Sequence, residues 1–141
     1  MKITGYINYG YRPPAPFVTA SILLKELDLK ARLPLLVDTG ASNTIILWRD
    51  VERLGIDISK LKPEREFSGI GGLVEAKPIL SMLIFRSESG QLVKEEAEAY
   101  VVTSVCPHPR LRLLPSILGR DVINRYALNY KFENEETSLE K

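Results

Sequence analysis

Apolar residues along this chain recur in short blocks of strand length, separated by clusters of proline, glycine and polar residues. The segments from Ile3 to Tyr9 and from Phe17 to Leu24 are rich in β-branched, aromatic and aliphatic side chains. Between them lies Tyr11-Arg12-Pro13-Pro14-Ala15-Pro16, whose prolines cannot join a sheet interior. Two strands and a loop are expected. Leu33-Pro34-Leu35-Leu36-Val37 is a continuous apolar run ending at Asp38-Thr39-Gly40, so a buried strand should deliver a polar turn to one end of the core. Leu47, Val51 and Leu54 are spaced i, i+4, i+7 and Gly55 follows, which predicts a short amphipathic helix closed by a glycine cap.

Further along, Phe67-Ser68-Gly69-Ile70-Gly71-Gly72-Leu73-Val74 is a glycine-dense turn between candidate strands, with Ile70 the one large apolar residue among three glycines. A mobile hairpin is expected there. Ile79 to Arg86 and Gln91 to Thr103 flank Glu88-Ser89-Gly90 and predict a β-hairpin. The largely apolar stretch from Leu111 to Leu118 runs into Gly119-Arg120-Asp121. Val122, Ile123, Tyr126 and Ala127 then share one helical face, with Asp121 suited to the helix start. Leu128 to Phe132 alternates as a last strand, and the polar segment Glu133 to Lys141 is expected to fray. This organisation is one domain over residues 1–132 followed by a polar C-terminal tail, 133–141.

At 141 residues the chain has room for one domain with a real core and not for two ordinary ones. Its 45% hydrophobic and 26% charged residues are those of a soluble globular protein rather than a disordered one. A formal net charge of +1 provides no global field for nucleic acid or anionic lipid, so neither is expected as a partner. Cys106 is the lone cysteine, which excludes an intramolecular disulfide framework and a zinc site built from thiolates. No apolar run of signal-peptide length follows the first residues, no stretch approaches a membrane span, and a reducing, cytoplasmic setting is expected. The single histidine, His108, lies between Pro107 and Pro109 and is read as a loop residue rather than part of a Ser-His-Asp or Cys-His site.

Three pieces occur in order: an apolar strand ending Val37-Asp38-Thr39-Gly40-Ala41-Ser42, a glycine-rich hairpin around Ile70, and Ile117-Leu118-Gly119-Arg120-Asp121 entering a helix. Together they resemble the retropepsin-like aspartic peptidases, over roughly residues 33 to 128. The resemblance implies a mostly β, closed-barrel fold with one or two short helices. It also implies that the turn of Asp38, Thr39 and Gly40 is catalytic, with Thr39 bracing the turn across a two-fold axis. Ala41, Ser42, Gly69, Ile70, Gly71, Gly72 and Ile117 would then line the substrate, with the hairpin as a flap. Many retroviral relatives carry an acidic residue at the position of Ser42, where it pairs with the arginine of the Gly-Arg segment, so Arg120 must find another partner. Arg120 and Asp121 are otherwise read as a helix-start pair and Trp48 as core.

A single Asp-Thr-Gly makes such a chain half an enzyme. Hydrolysis by this route needs two carboxyl groups that share one proton, because like charges a few ångströms apart resist double ionisation. An isologous dimer supplies the second group from a copy of the same chain. The expectation is therefore a homodimeric endopeptidase acting on extended peptide or unfolded polypeptide, without metal or other cofactor. Two rivals are a catalytically silent dimer of the same fold that binds peptides or assembles complexes, and an unrelated small β-barrel that would be monomeric. Asp38-Thr39-Gly40-Ala41-Ser42-Asn43-Thr44 is also similar to the phosphate-binding turn of actin-like and sugar-kinase ATPases, but that fold needs a far longer chain.

Overall fold

The apolar blocks become strands because alternate side chains pack inward and their neighbours face outward. In the computed structural model, which describes residues 1–61, 65–69 and 72–141, the strands are β1 (Lys2–Thr4), β2 (Tyr6–Asn8), β3 (Ala15–Leu24), β4 (Leu29–Val37), β5 (Ile45–Ile46), β6 (Arg65–Gly69), β7 (Gly72–Arg86), β8 (Leu92–Val102), β9 (Ile117–Leu118), β10 (Ala127–Lys131) and β11 (Glu136–Glu140). Two helices join them, α1 (Trp48–Leu54) and α2 (Arg120–Ile123). The larger sheet runs β2-β3-β4-β9-β5-β8-β7-β6, and β3 also pairs with β7 through Ser21 and Ile84. That second pairing returns the ring β3-β4-β9-β5-β8-β7 upon itself, giving the barrel that the resemblance implies.

Val18, Ala20, Ile22 and Leu24 of β3 and Leu33, Leu35 and Val37 of β4 meet Ile79, Leu83 and Phe85 of β7 and Ala97, Ala99 and Val101 of β8 inside this ring. Short α1 packs Val51 and Leu54 against the same core, and Gly55, at φ +63°, caps it as expected. The β7–β8 hairpin also forms as predicted, with Gly90 at φ +88° in its turn.

Four local expectations are corrected. The Ile3 to Tyr9 block is two strands rather than one. It breaks at Gly5, where a Cβ would lie 2.3 Å from the carbonyl oxygen of Phe17, so β1 joins one sheet and β2 the other. The helix after Gly119 is a single turn; Tyr126 lies beyond its end and Ala127 opens β10, not the helical face. Leu128 to Phe132 is not the last strand, since β11 follows. The stretch expected to fray is the middle strand of a second sheet, β1-β11-β10, with Thr137, Ser138 and Leu139 buried. Backbone pairing on both edges of β11 compensates for its polar composition, and Lys141 and Met1 exchange backbone hydrogen bonds at the sheet's end.

Glu95 is a charged residue at an inward position of β8, buried in step with Ala97 and Ala99. Its carboxylate accepts hydrogen bonds from Arg125 (2.7 Å), Lys141 (2.9 Å) and the Tyr126 hydroxyl (2.6 Å), joining the barrel to α2 and the C-terminal strand. Burial alone pushes this carboxyl up, but the three donors outweigh it and hold it at about 2, while burial and Glu95 raise the Tyr126 hydroxyl.

A folded-state value below the unfolded one means that Glu95 stabilises the fold fully above its ordinary value of 4.5, and that this contribution fades as pH falls toward about 2. Because Arg125 and Lys141 are partly exposed, Glu95→Gln should cost about 2 kcal/mol at neutral pH, as read by urea unfolding. The gap between wild type and variant should close between pH 4.5 and about 2. A gap independent of pH would contradict this assignment.

Candidate active site

Strand β4 carries the chain into Asp38, and β9 holds it there from the side. The two strands run parallel with Leu36 opposite Ile117 and Val37 opposite Leu118. Just beyond the paired residues, the Leu36 amide donates to the Ser116 carbonyl (3.0 Å) and the Asp38 amide to the Leu118 carbonyl (3.1 Å). The turn then closes on itself: the Ala41 amide reaches the Asp38 carbonyl (3.2 Å), and the Gly40 amide donates to Asp38 Oδ1 (2.8 Å). That donor orients the half-buried carboxylate, while Thr39 and Gly40 are exposed. A Cβ at Gly40 would sit 3.1 Å from Asp38 Oδ1, tight enough to disturb the contact.

Residues 119–121 lock the far side of the turn. Gly119 passes so close to Asn43 that a Cβ would lie 2.4 Å from its carbonyl carbon and 2.5 Å from its oxygen. The Arg120 and Asp121 amides donate to the carbonyls of Ala41 (2.9 Å) and Ser42 (3.2 Å). The Arg120 side chain donates to the Thr39 carbonyl (2.7 Å) and to Ser42 Oγ (3.3 Å), so the serine accepts one of its bonds and a backbone carbonyl the other. Asp121 accepts from the Thr44 amide (3.1 Å) and hydroxyl (2.9 Å), and that hydroxyl in turn accepts from the Gly119 amide (3.2 Å). Arg120 and Asp121 are therefore braces of the Asp38 turn as well as the start of α2, a role that their reading as a helix-start pair leaves out. Thr44, fully buried, is a site residue the sequence does not single out.

An apolar flank lies beside the turn. Leu47, Val102 and Ile117 pack with Leu36, Ala41, Ile45, Trp48 and Leu114. Trp48 belongs to this packing, as predicted, and its indole N–H donates to the Ser104 carbonyl (2.9 Å). Ile117 is only 3% exposed, so it supports this surface from within. Beneath, fully buried Asp50 of α1 accepts from the Ser116 hydroxyl (2.6 Å) and from Arg53 (3.3 Å), and Ser116 Oγ accepts from the Leu47 amide (3.1 Å). This ties α1 to the approach of β9.

A family model described as aspartyl protease matches residues 26–122. The chain belongs to the aspartyl protease family. Its fold is retropepsin-like: a crystal structure of a retropepsin-like aspartic protease from Rickettsia conorii superposes with a TM-score of 0.60 at 20% identity, covering 99% of this chain and 89% of that one. The EIAV protease complexed with the inhibitor HBY-793 is more distant, with a TM-score of 0.42 at 19% identity over 79% of this chain and 86% of that one. Among curated proteins none matches in sequence.

Within this aspartyl protease fold, β6 and β7 form the glycine-rich hairpin, with Gly69 paired to Gly72; Ile70 and Gly71 lie outside the described residues. The Cys106 thiol donates to the His108 carbonyl (3.1 Å), and the His108 ring accepts from the Arg110 amide (3.1 Å), so both serve their own loop. Among the described residues no three His, Cys, Asp or Glu side chains converge as a metal site, and no helix is long and apolar enough to cross a membrane.

The closest backbone approach in the site makes a direct test. Gly119→Ala must push the Asn43 segment away, costing about 1–3 kcal/mol in unfolding free energy. An unfolding midpoint equal to that of wild type would contradict the packing described.

Proposed function

We propose that two copies of this chain form one aspartic endopeptidase, which hydrolyses peptide bonds of extended polypeptides through a water held between their Asp38 carboxyl groups. The observation that carries this is a single Asp38-Thr39-Gly40 turn per chain, with a carboxylate that is oriented by the Gly40 amide and braced from both sides yet only half-buried at the barrel's end. Such a group is built to act outward. With two copies across a two-fold axis, one carboxylate removes a proton from water as its oxygen attacks the peptide carbonyl carbon. The other carboxyl donates its proton to the carbonyl oxygen. The gem-diol then collapses as the first carboxyl returns its proton to the amide nitrogen and the second takes back a hydroxyl proton, so the C–N bond breaks to give an amine and a carboxylic acid. The two titrations belong to the pair rather than to either copy.

In this arrangement Thr39 braces the partner's turn across the axis. The hairpin with Gly69, Ile70, Gly71 and Gly72 covers an extended peptide whose main chain adds to it as a strand. Ala41, Ser42 and the surface backed by Ile117 meet the side chains beside the cleaved bond. The edge of β10 in the sheet β1-β11-β10, which pairs with no other strand among the described residues, is the proposed contact between copies, consistent with Tyr130 being 45% exposed there. The free thiol of Cys106 accords with a cytoplasmic setting.

Cleavage of a mixed peptide library tests this reading against a silent peptide-binding dimer. Asp38→Asn should keep the fold and the dimer while lowering cleavage by at least about a thousandfold; undiminished cleavage would refute it. Specific activity of wild type should also fall on dilution as dimers dissociate, a trend that a monomeric enzyme would not show.

A further inference from the structure

Three aromatic rings stand together on the rim of the barrel that carries Asp38, and the chemistry proposed above uses none of them. The Phe17 ring stacks with Tyr6 at 5.8 Å and 23° and with Tyr11 at 5.4 Å and 26°. Phe17 is 1% exposed beneath this stack, whereas Tyr6 is 39% exposed and Tyr11 half-buried. Stacked aromatic rings present a broad, rigid surface that loses little conformational freedom on contact.

Strand register puts the stack next to the active-site flank. Tyr6 lies opposite Phe17, Phe17 opposite Leu36, and Leu36 opposite Ile117, so one cross-strand row leads from Tyr6 to the apolar surface beside the Asp38 turn. The alternation agrees: Val18, Leu35 and Val37 point into the barrel core, while Leu36 belongs to the flank with Ala41 and Ile117. Because β3 begins where antiparallel β4 ends, and Asn8 pairs with Ala15, the loop of residues 9–14 projects at the end of the barrel to which β4 delivers Asp38. Two strand spacings separate β2 from β4, about 10 Å, or about three residues of an extended peptide.

We infer that Tyr6 and Tyr11, stacked on Phe17, form an outer subsite that receives an aromatic or bulky apolar side chain of the peptide about three residues from the cleaved bond. This rests on the peptidase reading. A second copy of the chain is the other conceivable occupant, but the row of paired residues runs to the flank beside Asp38, whereas the unpaired strand edge proposed for dimerisation belongs to the other sheet.

The test uses peptides that the wild-type dimer cleaves at one bond, in matched pairs with Phe or Ser at each position two to five residues from that bond. Wild type should prefer Phe at one such position by about tenfold in kcat/KM, the scale of one apolar contact, through KM. Tyr6→Ser with Tyr11→Ser should abolish that preference with kcat unchanged, and Tyr6→Phe with Tyr11→Phe should retain it. The inference is overturned if wild type shows no distal preference or if the serine variant keeps it. It is also overturned if that variant loses both peptides equally while sedimentation shows its dimer dissociating, because the shelf is then a contact between copies. A failed peptidase reading looks different: Asp38→Asn cleaves like wild type, or wild type cleaves nothing. In that event, library peptides that bind Asp38→Asn protein, remade in matched Phe and Ser forms, still judge the tyrosine subsite, with equal affinity for the two forms at every position counting against it.

Discussion

The site depends on one constraint: the chain segment of residues 38–44 is held between β4 and the strand-to-helix entry at 117–121. Backbone bonds fix Asp38 to Leu118, and those from residues 120 and 121 fix Ala41 and Ser42. Gly119 must lack a side chain because Asn43 occupies the space a Cβ would need. Arg120 and Asp121 then fasten both ends of the segment, one at the Thr39 carbonyl and the other at Thr44. In the proposed dimer each carboxylate meets its symmetry-related twin within hydrogen-bonding distance, an arrangement that tolerates little positional error, and this cross-bracing supplies the rigidity.

The same logic explains the additions around the barrel. Helix α1 brings buried Asp50 under Ser116, so the approach to β9 is bonded from below as well as along its edge. Glu95 does comparable work at distance, gathering Arg125, Tyr126 and Lys141 so that the second sheet and α2 stay attached to β8. Both are buried carboxylates surrounded by donors, the condition under which a charge is tolerated away from water.

What could be read from sequence was whatever leaves a local signature. The apolar run into Asp38, the helix capped by Gly55 and the β7–β8 turn at Gly90 each announce themselves through periodicity or glycine placement. Bonds between distant residues have no such signature: Thr44 and Asp121 are 77 positions apart, and nothing near either one indicates the other. β11 escaped notice because polar residues dominate it and its backbone pairing on both sides is invisible in composition. The break at Gly5 likewise comes from the close approach of Phe17, a contact made by the fold. For the Tyr6, Tyr11 and Phe17 stack, the proline-rich loop marked a connection but not what it assembles.

The proposed active unit needs the same carboxylate from both copies, and mixing wild-type and Asp38→Asn chains measures this most directly. After dissociation and random reassociation at constant total protein, peptide cleavage should follow the square of the wild-type fraction, about one quarter of full activity in an equal mixture. Cleavage proportional to the wild-type fraction, half in an equal mixture, would mean that each Asp38 works alone.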